Sequence, residues 1–368
     1  MKNPAPTQIN QKSIVLHDMF DIKGGGERLV ITLTNAIQAD LCYGKHSNNS
    51  FPLDILHPDL IQYNLNLNNN LPGIRSIFLA RLFQNKTQFL KNYQNAIYSG
   101  VTAPLAVKNH PNGKNLFYCH TPPRFIYDKF DYYQKQFPLS HRIALNLLIK
   151  WLKPRYEQAV NQMDVIFANS KFVQQRIQKY LNKDSIVVHP PCDTEKFYFS
   201  TPQDYYLSTG RLDSLKRIDK IIEAFKQMPK KKLVICSSGA EENKLRQLAK
   251  GYSNIRFTGP ISDNKLKRII ANSIATIYIP EDEDFGISPV ESMAAGKPVI
   301  CSGIGGPTET IVNGENGLYI DEENIVESLI DCVNKLDINT AIQMQKACEE
   351  RAELFNEKKF IEGISQYL

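Results

Sequence analysis

The strongest constraint on the fold is a rhythm. Short apolar runs at 13–17 (SIVLH), 114–119, 165–168 and 186–188, then at 205–208, 233–236, 255–257, 275–279 and 298–301, alternate with stretches whose apolar residues recur at helical spacing. Strand and helix in turn predict parallel sheets covered by helices, an α/β fold. At 368 residues the chain is too long for one core, so two domains are expected. The proline-marked stretch 190–202 reads as the linker. The expected division is an N-terminal Rossmann-like domain (1–195), a C-terminal Rossmann-like domain (196–345) and a last helix (346–368) packing back towards the first. The two domains are expected to face each other across a cleft, with ligands beyond the carboxyl ends of the strands. The Asn- and Pro-rich region 42–71 is the least legible part.

Charge is divided unevenly. Residues 1–200 hold 23 Lys and Arg against 13 Asp and Glu, a net +10, and residues 201–368 hold 21 against 25, a net −4. A basic first half suits anionic lipid or a phosphate-bearing acceptor. No zinc-finger spacing or RNA-recognition signature favours nucleic acid, which is excluded as a partner. The seven cysteines are scattered without a C-x-x-C pair, which predicts reduced, buried thiols. The start, MKNPAPTQINQK, has no apolar signal region and no later run is long enough to span a bilayer, so a cytoplasmic chain is expected.

Candidate chemistry gathers in the segment 281–298, EDEDFGISPVESMAAGKP, which follows an apolar strand. Ser288 is a good N-cap and Pro289 a good first helical residue, so a helix is expected to start near Pro289. Its amides and those of Phe285, Gly286 and Ile287 would suit an anion or sugar hydroxyls. Glu291, three residues after Ser288, equally fits a capping box. Glu283, in the loop before the helix, has a weaker structural excuse, and the four consecutive acids there must be solvated, paired or bound. Asp282-Glu283-Asp284 also reads as a D-x-D metal site, the less favoured alternative. After the strand at 205–208, the loop 209–217 (TGRLDSLKR) presents Arg211, Lys216 and Arg217, which can hold a diphosphate by charge-assisted hydrogen bonds. In the first half, Gly24-Gly25-Gly26 leads from a strand into a helix, and His120-Thr121-Pro122-Pro123-Arg124 ends another strand.

The Gly210-Arg211 to Lys216 loop, the Glu283-x7-Glu291 pair enclosing Phe285-Gly286, and the continuation Ala294-Ala295-Gly296-Lys297-Pro298 together resemble glycosyltransferase family 4. The resemblance is dense in the carboxyl-terminal half. It implies a GT-B fold, retention of anomeric configuration, and no metal or other cofactor. By position, Arg211 and Lys216 would hold the donor diphosphate and Glu291 the ribose hydroxyls. Glu283 would bind the donor sugar, and the amides of Phe285, Gly286 and Ile287 sugar or phosphate. His17-Asp18 with Gly24-Gly25-Gly26, and the 118–124 segment, are similar to the mannosyltransferases of the family that use GDP-mannose to build lipid-linked or O-antigen and capsule-type glycans. This implies that the glycine loop approaches the donor phosphate and that His120 touches the sugar near the reacting carbon. Arg124 and Asp128 are acceptor-side candidates. Arg217, where many such relatives carry Gly, and His189-Pro190-Pro191-Cys192-Asp193 depart from the commoner pattern.

The catalytic set expected is therefore His120, Arg211, Lys216 and Glu283, with a retained hexose, mannose first, as cargo. The same scaffold serving UDP-glucose or a UDP-N-acetylhexosamine, or a nucleotide-sugar binder without turnover, are the rival readings. The stretches 71–89 and 143–156 mix apolar residues with Arg75, Arg81, Lys86, Lys150, Lys153 and Arg155, around the only tryptophan, Trp151. They fit either ordinary amphipathic surface helices or interfacial ones. With the +10 charge, peripheral contact with the inner face of an anionic cytoplasmic membrane is expected.

Overall fold

The computed structural model describes residues 12–69 and 73–368. It divides into two compact units, one of residues up to 169 with 173–188 and 361–368, the other of 170–172 and 189–360.

Seven described strands form the sheet of the first unit: β1 (Ser13–His17), β2 (Asp40–Tyr43), β3 (Gln62–Asn64), β4 (Asn95–Ser99), β5 (Lys114–Cys119), β6 (Val165–Ala168) and β7 (Ile186–Val187). All are parallel, in the order β3-β2-β1-β4-β5-β6-β7. Alternate residues of the central strands, Ile14 and Leu16, Ala96 and Tyr98, Phe117 and Cys119, build one core. Their neighbours Val15, Ile97 and Leu116 are buried on the other face. Burial on both sides is what near-continuous apolar strands encode.

The second unit repeats the scheme with β8 (Tyr206–Ser208), β9 (Leu233–Ile235), β10 (Ile255–Phe257), β11 (Thr276–Tyr278), β12 (Val299–Ser302) and β13 (Gly317–Ile320). These are also parallel, in the order β10-β9-β8-β11-β12-β13. In each sheet the strand order turns back at the first strand, between β1 and β4 and between β8 and β11. A crevice opens at the carboxyl ends of such a pair, because the connections leave to opposite sides. The two Rossmann-like sheets agree with the α/β expectation.

Several expectations need correction. Strands β2, β3, β4 and β13 were not foreseen. The chain passes between units at Val188 and His189, seven residues before the expected boundary at 195. Residues 190–202 are packed structure of the second unit and not a free linker. The Cys192 amide donates to the Phe355 carbonyl at 2.9 Å, Cys192 bridges Asn356, and Lys297 donates to the Ser200 carbonyl at 2.6 Å. Of the terminal segment 346–368, residues 346–360 stay with the second unit and only 361–368 join the first, where Tyr367 lies against Phe167. All seven cysteines are free and buried. No helix among the described residues is long and apolar enough to cross a membrane.

Candidate functional site

The second unit concentrates the chemistry at the β8/β11 switch point. After β8 the chain turns through Thr209 and Gly210 to a short 3-10 turn, Ser214–Lys216, which delivers the Lys216 side chain towards the end of β11. The Glu281 amide donates to the Leu215 carbonyl at 2.8 Å, which fastens the two loops together. Lys216 Nζ donates to Glu283 Oε2 at 2.5 Å and to the Tyr278 hydroxyl at 3.1 Å, and lies over the Tyr278 ring at 5.3 Å. Lys216 and Glu283 are both largely shielded from water, so the pair is stronger than a surface ion pair. Burial, and next the charge and hydrogen bond of Glu283, hold the Tyr278 phenol well above its ordinary pKa; Arg211 is the cation that opposes them. The phenol is therefore a neutral hinge between Lys216 and Glu283.

Arg211 is exposed, with only a loose partner in Asp213 at 3.6 Å. Its guanidinium is available to a ligand. Arg217 has φ +52°, in the left-handed region, which explains why glycine suits this place in similar sequences. Its cation is taken by Glu322 at 2.5 Å. Of the three cations expected to meet a diphosphate, Arg217 is thus engaged elsewhere.

The helix after the acidic segment spans Ile287–Ala294, two residues earlier than expected. Gly286, at φ +83°, supplies the left-handed turn that starts it, and no side chain caps it. Ser288 is therefore inside the first turn, and Pro289 keeps a first-turn place where its missing N–H costs nothing. Glu291 lies five residues after the cap, so the capping-box reading does not hold; its side chain is buried in the helix. Among the described residues, the amides of Phe285, Gly286 and Ile287 donate to no other group. Together they form a donor cradle beside Glu283, with a helix N-terminus behind it.

Two features of this site went unseen in the sequence. Tyr278 is the aromatic hydroxyl at the end of β11, and its place before the acidic segment was the signal. The second is the glycine pair after β12. Gly306 donates its amide to the Glu283 carbonyl at 2.8 Å, and a Cβ there would lie 2.3 Å from Phe285 Cα. Gly305 has φ +79°, and a Cβ added there would lie 2.8 Å from the Glu283 carbonyl oxygen. These glycines let one backbone rest directly on the 283–285 strip. Among the described residues no three His, Cys, Asp or Glu side chains are grouped to hold a metal ion.

In the first unit, the helix after β1 spans Gly25–Ala36 with Gly24 as its cap. Gly25 and Gly26 are therefore first-turn residues and not a loop, since a first turn tolerates glycine at little cost. A Cβ on Gly26 would touch the His120 ring at 3.5 Å, so the glycine leaves that side of the imidazole clear. His120 Nε2 lies 2.8 Å from Ser99 Oγ, and His17 Nδ1 lies 3.0 Å from the same oxygen. Burial lowers the pKa of His120 to about 4; burial, then repulsion from His120, lowers that of His17 to about 3. Both rings are neutral near pH 7, and the single Ser99 proton couples their tautomers. Asp18 accepts from the amides of Val101, Thr102 and Ala103 at 2.7–3.1 Å and from the Thr102 hydroxyl at 2.9 Å. Burial outweighs these donors and raises its pKa. Its role is to lock the chain that follows β4 and Gly100. Arg124 and Asp128 pair with each other at 2.9 Å, and Arg176 shares the carboxylate at 3.3 Å.

Comparison with known proteins bears on the family and the fold. Residues 192–355 match the family described as glycosyl transferases group 1. The chain is 23% identical to alpha-1,3/1,6-mannosyltransferase ALG2 of Dictyostelium discoideum, over 96% of each chain. Among solved structures it is similar to sucrose-phosphate synthase of Thermosynechococcus elongatus, with TM-score 0.79 and 17% identity over 96% of this chain and 98% of that one. It is also similar to Anabaena Alr3699/HepE in complex with UDP and glucose, with TM-score 0.75 and 16% identity over 96% and 98%. The structural likenesses carry the fold alone.

Proposed function

We propose that this chain, a group 1 glycosyltransferase of GT-B fold with a mannosyltransferase-like relationship, moves mannose from GDP-mannose to a lipid-linked or polysaccharide acceptor with retention of configuration. The supporting observation is the Lys216, Glu283 and Tyr278 cluster beside three unengaged amides. When a donor enters, its diphosphate takes over Lys216 together with exposed Arg211, and Glu283 is released to accept from sugar hydroxyls. The amides of Phe285, Gly286 and Ile287 serve sugar or phosphate oxygens, and Glu291 the ribose.

In the reaction the bond from the anomeric carbon to the diphosphate oxygen breaks and a bond to the acceptor oxygen forms on the same face. The acceptor proton passes to the leaving phosphate, so no protein nucleophile is needed. Arg211 and Lys216 stabilise the charge that develops on the diphosphate, an effect that grows in a site shielded from water. His120, neutral and flanked by Gly26, offers the sugar a hydrogen-bonding group, and the Gly24-Gly25-Gly26 turn offers amides to phosphate. The relative named alpha-1,3/1,6-mannosyltransferase supports mannose as the cargo.

Turnover of GDP-mannose, UDP-glucose and UDP-N-acetylglucosamine in EDTA tests the reading. GDP-mannose should be used best, with EDTA without effect. Preference for a UDP-sugar would reassign the donor. Loss in EDTA restored by Mg²⁺ or Mn²⁺ would return the 282–284 carboxylates to a metal role. Binding without turnover of any donor would make the chain a nucleotide-sugar binder.

A further inference from the structure

Helix Leu139–Val160 turns Leu148, Leu152 and Tyr156 into the first unit. On its opposite side Leu139, Ile143 and Leu147, four residues apart, are 72%, 56% and 62% exposed. That spacing makes one apolar stripe on the solvent side, where an ordinary surface helix carries polar residues. Phe137, at the entry to the helix, is exposed too. The neighbouring helix Ile74–Asn85 shares a small core with the first through Ala80, Leu148 and Leu152, and exposes Ile74 and Phe78 one turn apart.

Along the sequence, the charges of these helices are mostly of one sign. Between Asp131 and Glu157 lie five Lys and Arg and no Asp or Glu; between Asp59 and Asp128 lie seven and none. Arg75 is paired with Asp21 and Lys153 faces Glu157, whereas Lys135, Arg142, Lys150 and Arg155 have no carboxylate partner among the described residues. A two-fold contact with a second copy would set these cations against each other. An anionic bilayer supplies both an apolar depth and the opposite charge.

We propose that the exposed face of helix Leu139–Val160, with Phe137 and the adjoining Ile74 and Phe78, docks on an anionic lipid bilayer, apolar stripe inserted and cations at the headgroups. The inference rests on the reading of a lipid-linked acceptor, to which it gives the enzyme access while the helix lies in the surface.

Flotation of the full chain with phosphatidylcholine vesicles, with or without phosphatidylglycerol, tests it. The chain should float with the anionic vesicles only and be released by salt. The I143Q/L147Q variant should bind about tenfold or more weakly, and K135E/K150E should lose the dependence on anionic lipid. Both should keep the melting temperature and the turnover of donor with water as acceptor in the absence of vesicles. Flotation of I143Q/L147Q equal to the parent, equal binding to neutral vesicles in high salt, or loss of a dimer without loss of flotation would each overturn the proposal. Flotation as expected in a chain that ignores GDP-mannose would leave the surface standing and remove the donor reading instead.

Discussion

Two imidazoles joined through one hydroxyl, as His17, Ser99 and His120 are, are buried where charge on either ring is disfavoured. The folded pKa values, about 3 and about 4, lie below the ordinary 6.5, so between these limits the unfolded chain binds more protons than the folded one. Stability contributed by the pair is therefore complete above about pH 6.5 and is lost as pH falls towards 4 and then 3. In urea unfolding from pH 7 to 4, a His17→Gln variant should show a shallower loss than the parent; identical slopes would contradict the neutral pair. Lys216, Glu283 and His120 were singled out in the sequence through the family resemblance, because a basic loop residue or a strand-end imidazole also has ordinary structural uses. Tyr278 and Ser99 were not, because a hydroxyl in a buried strand acquires its meaning from partners distant in the sequence.

At the scale of elements, the sequence misleads where one residue type can do two jobs. Ser288-Pro289 has the composition of a helix start, yet Gly286 turns the chain two residues earlier because it can adopt a positive φ. Strand β4 was hidden by its polar ends: Asn95 donates to Ser13 at 3.2 Å and Ser99 serves the histidines. Polar residues satisfied inside a sheet break the apolar run that sequence reading looks for. Strand β3 was hidden differently, as an edge strand with exposed Gln62 and Asn64. The Gly305-Gly306 turn gave no periodic signal at all, since what matters is close backbone approach. Gly306→Ala should push the turn off the 283–285 strip, lower stability by about 1–3 kcal/mol and weaken binding of GDP. Thermal melting and titration check this; unchanged GDP affinity would separate the turn from the donor cradle.

For the whole molecule, the alternation of strand and helix was enough to foresee two Rossmann-like sheets, because parallel pairing needs a crossover for each strand. The limits of the units were less legible. Prolines at 190–191 look like a linker, but the Cys192 and Phe355 bond and the Lys297 and Ser200 bond, formed with residues far along the chain, draw 189–202 into the second unit. The repeated strand order explains why the candidate site residues fall after β8 and β11, whose loops share a switch point though about 70 residues separate them in sequence. The central claim is that this switch point activates the donor, and transfer from GDP-mannose by the parent and by Lys216→Ala tests it most directly. With the melting temperature retained, the variant should lose about 100-fold or more in kcat, because the developing charge on the diphosphate loses its shielded cation. A folded Lys216→Ala chain that turns over GDP-mannose at the parent rate would contradict the account.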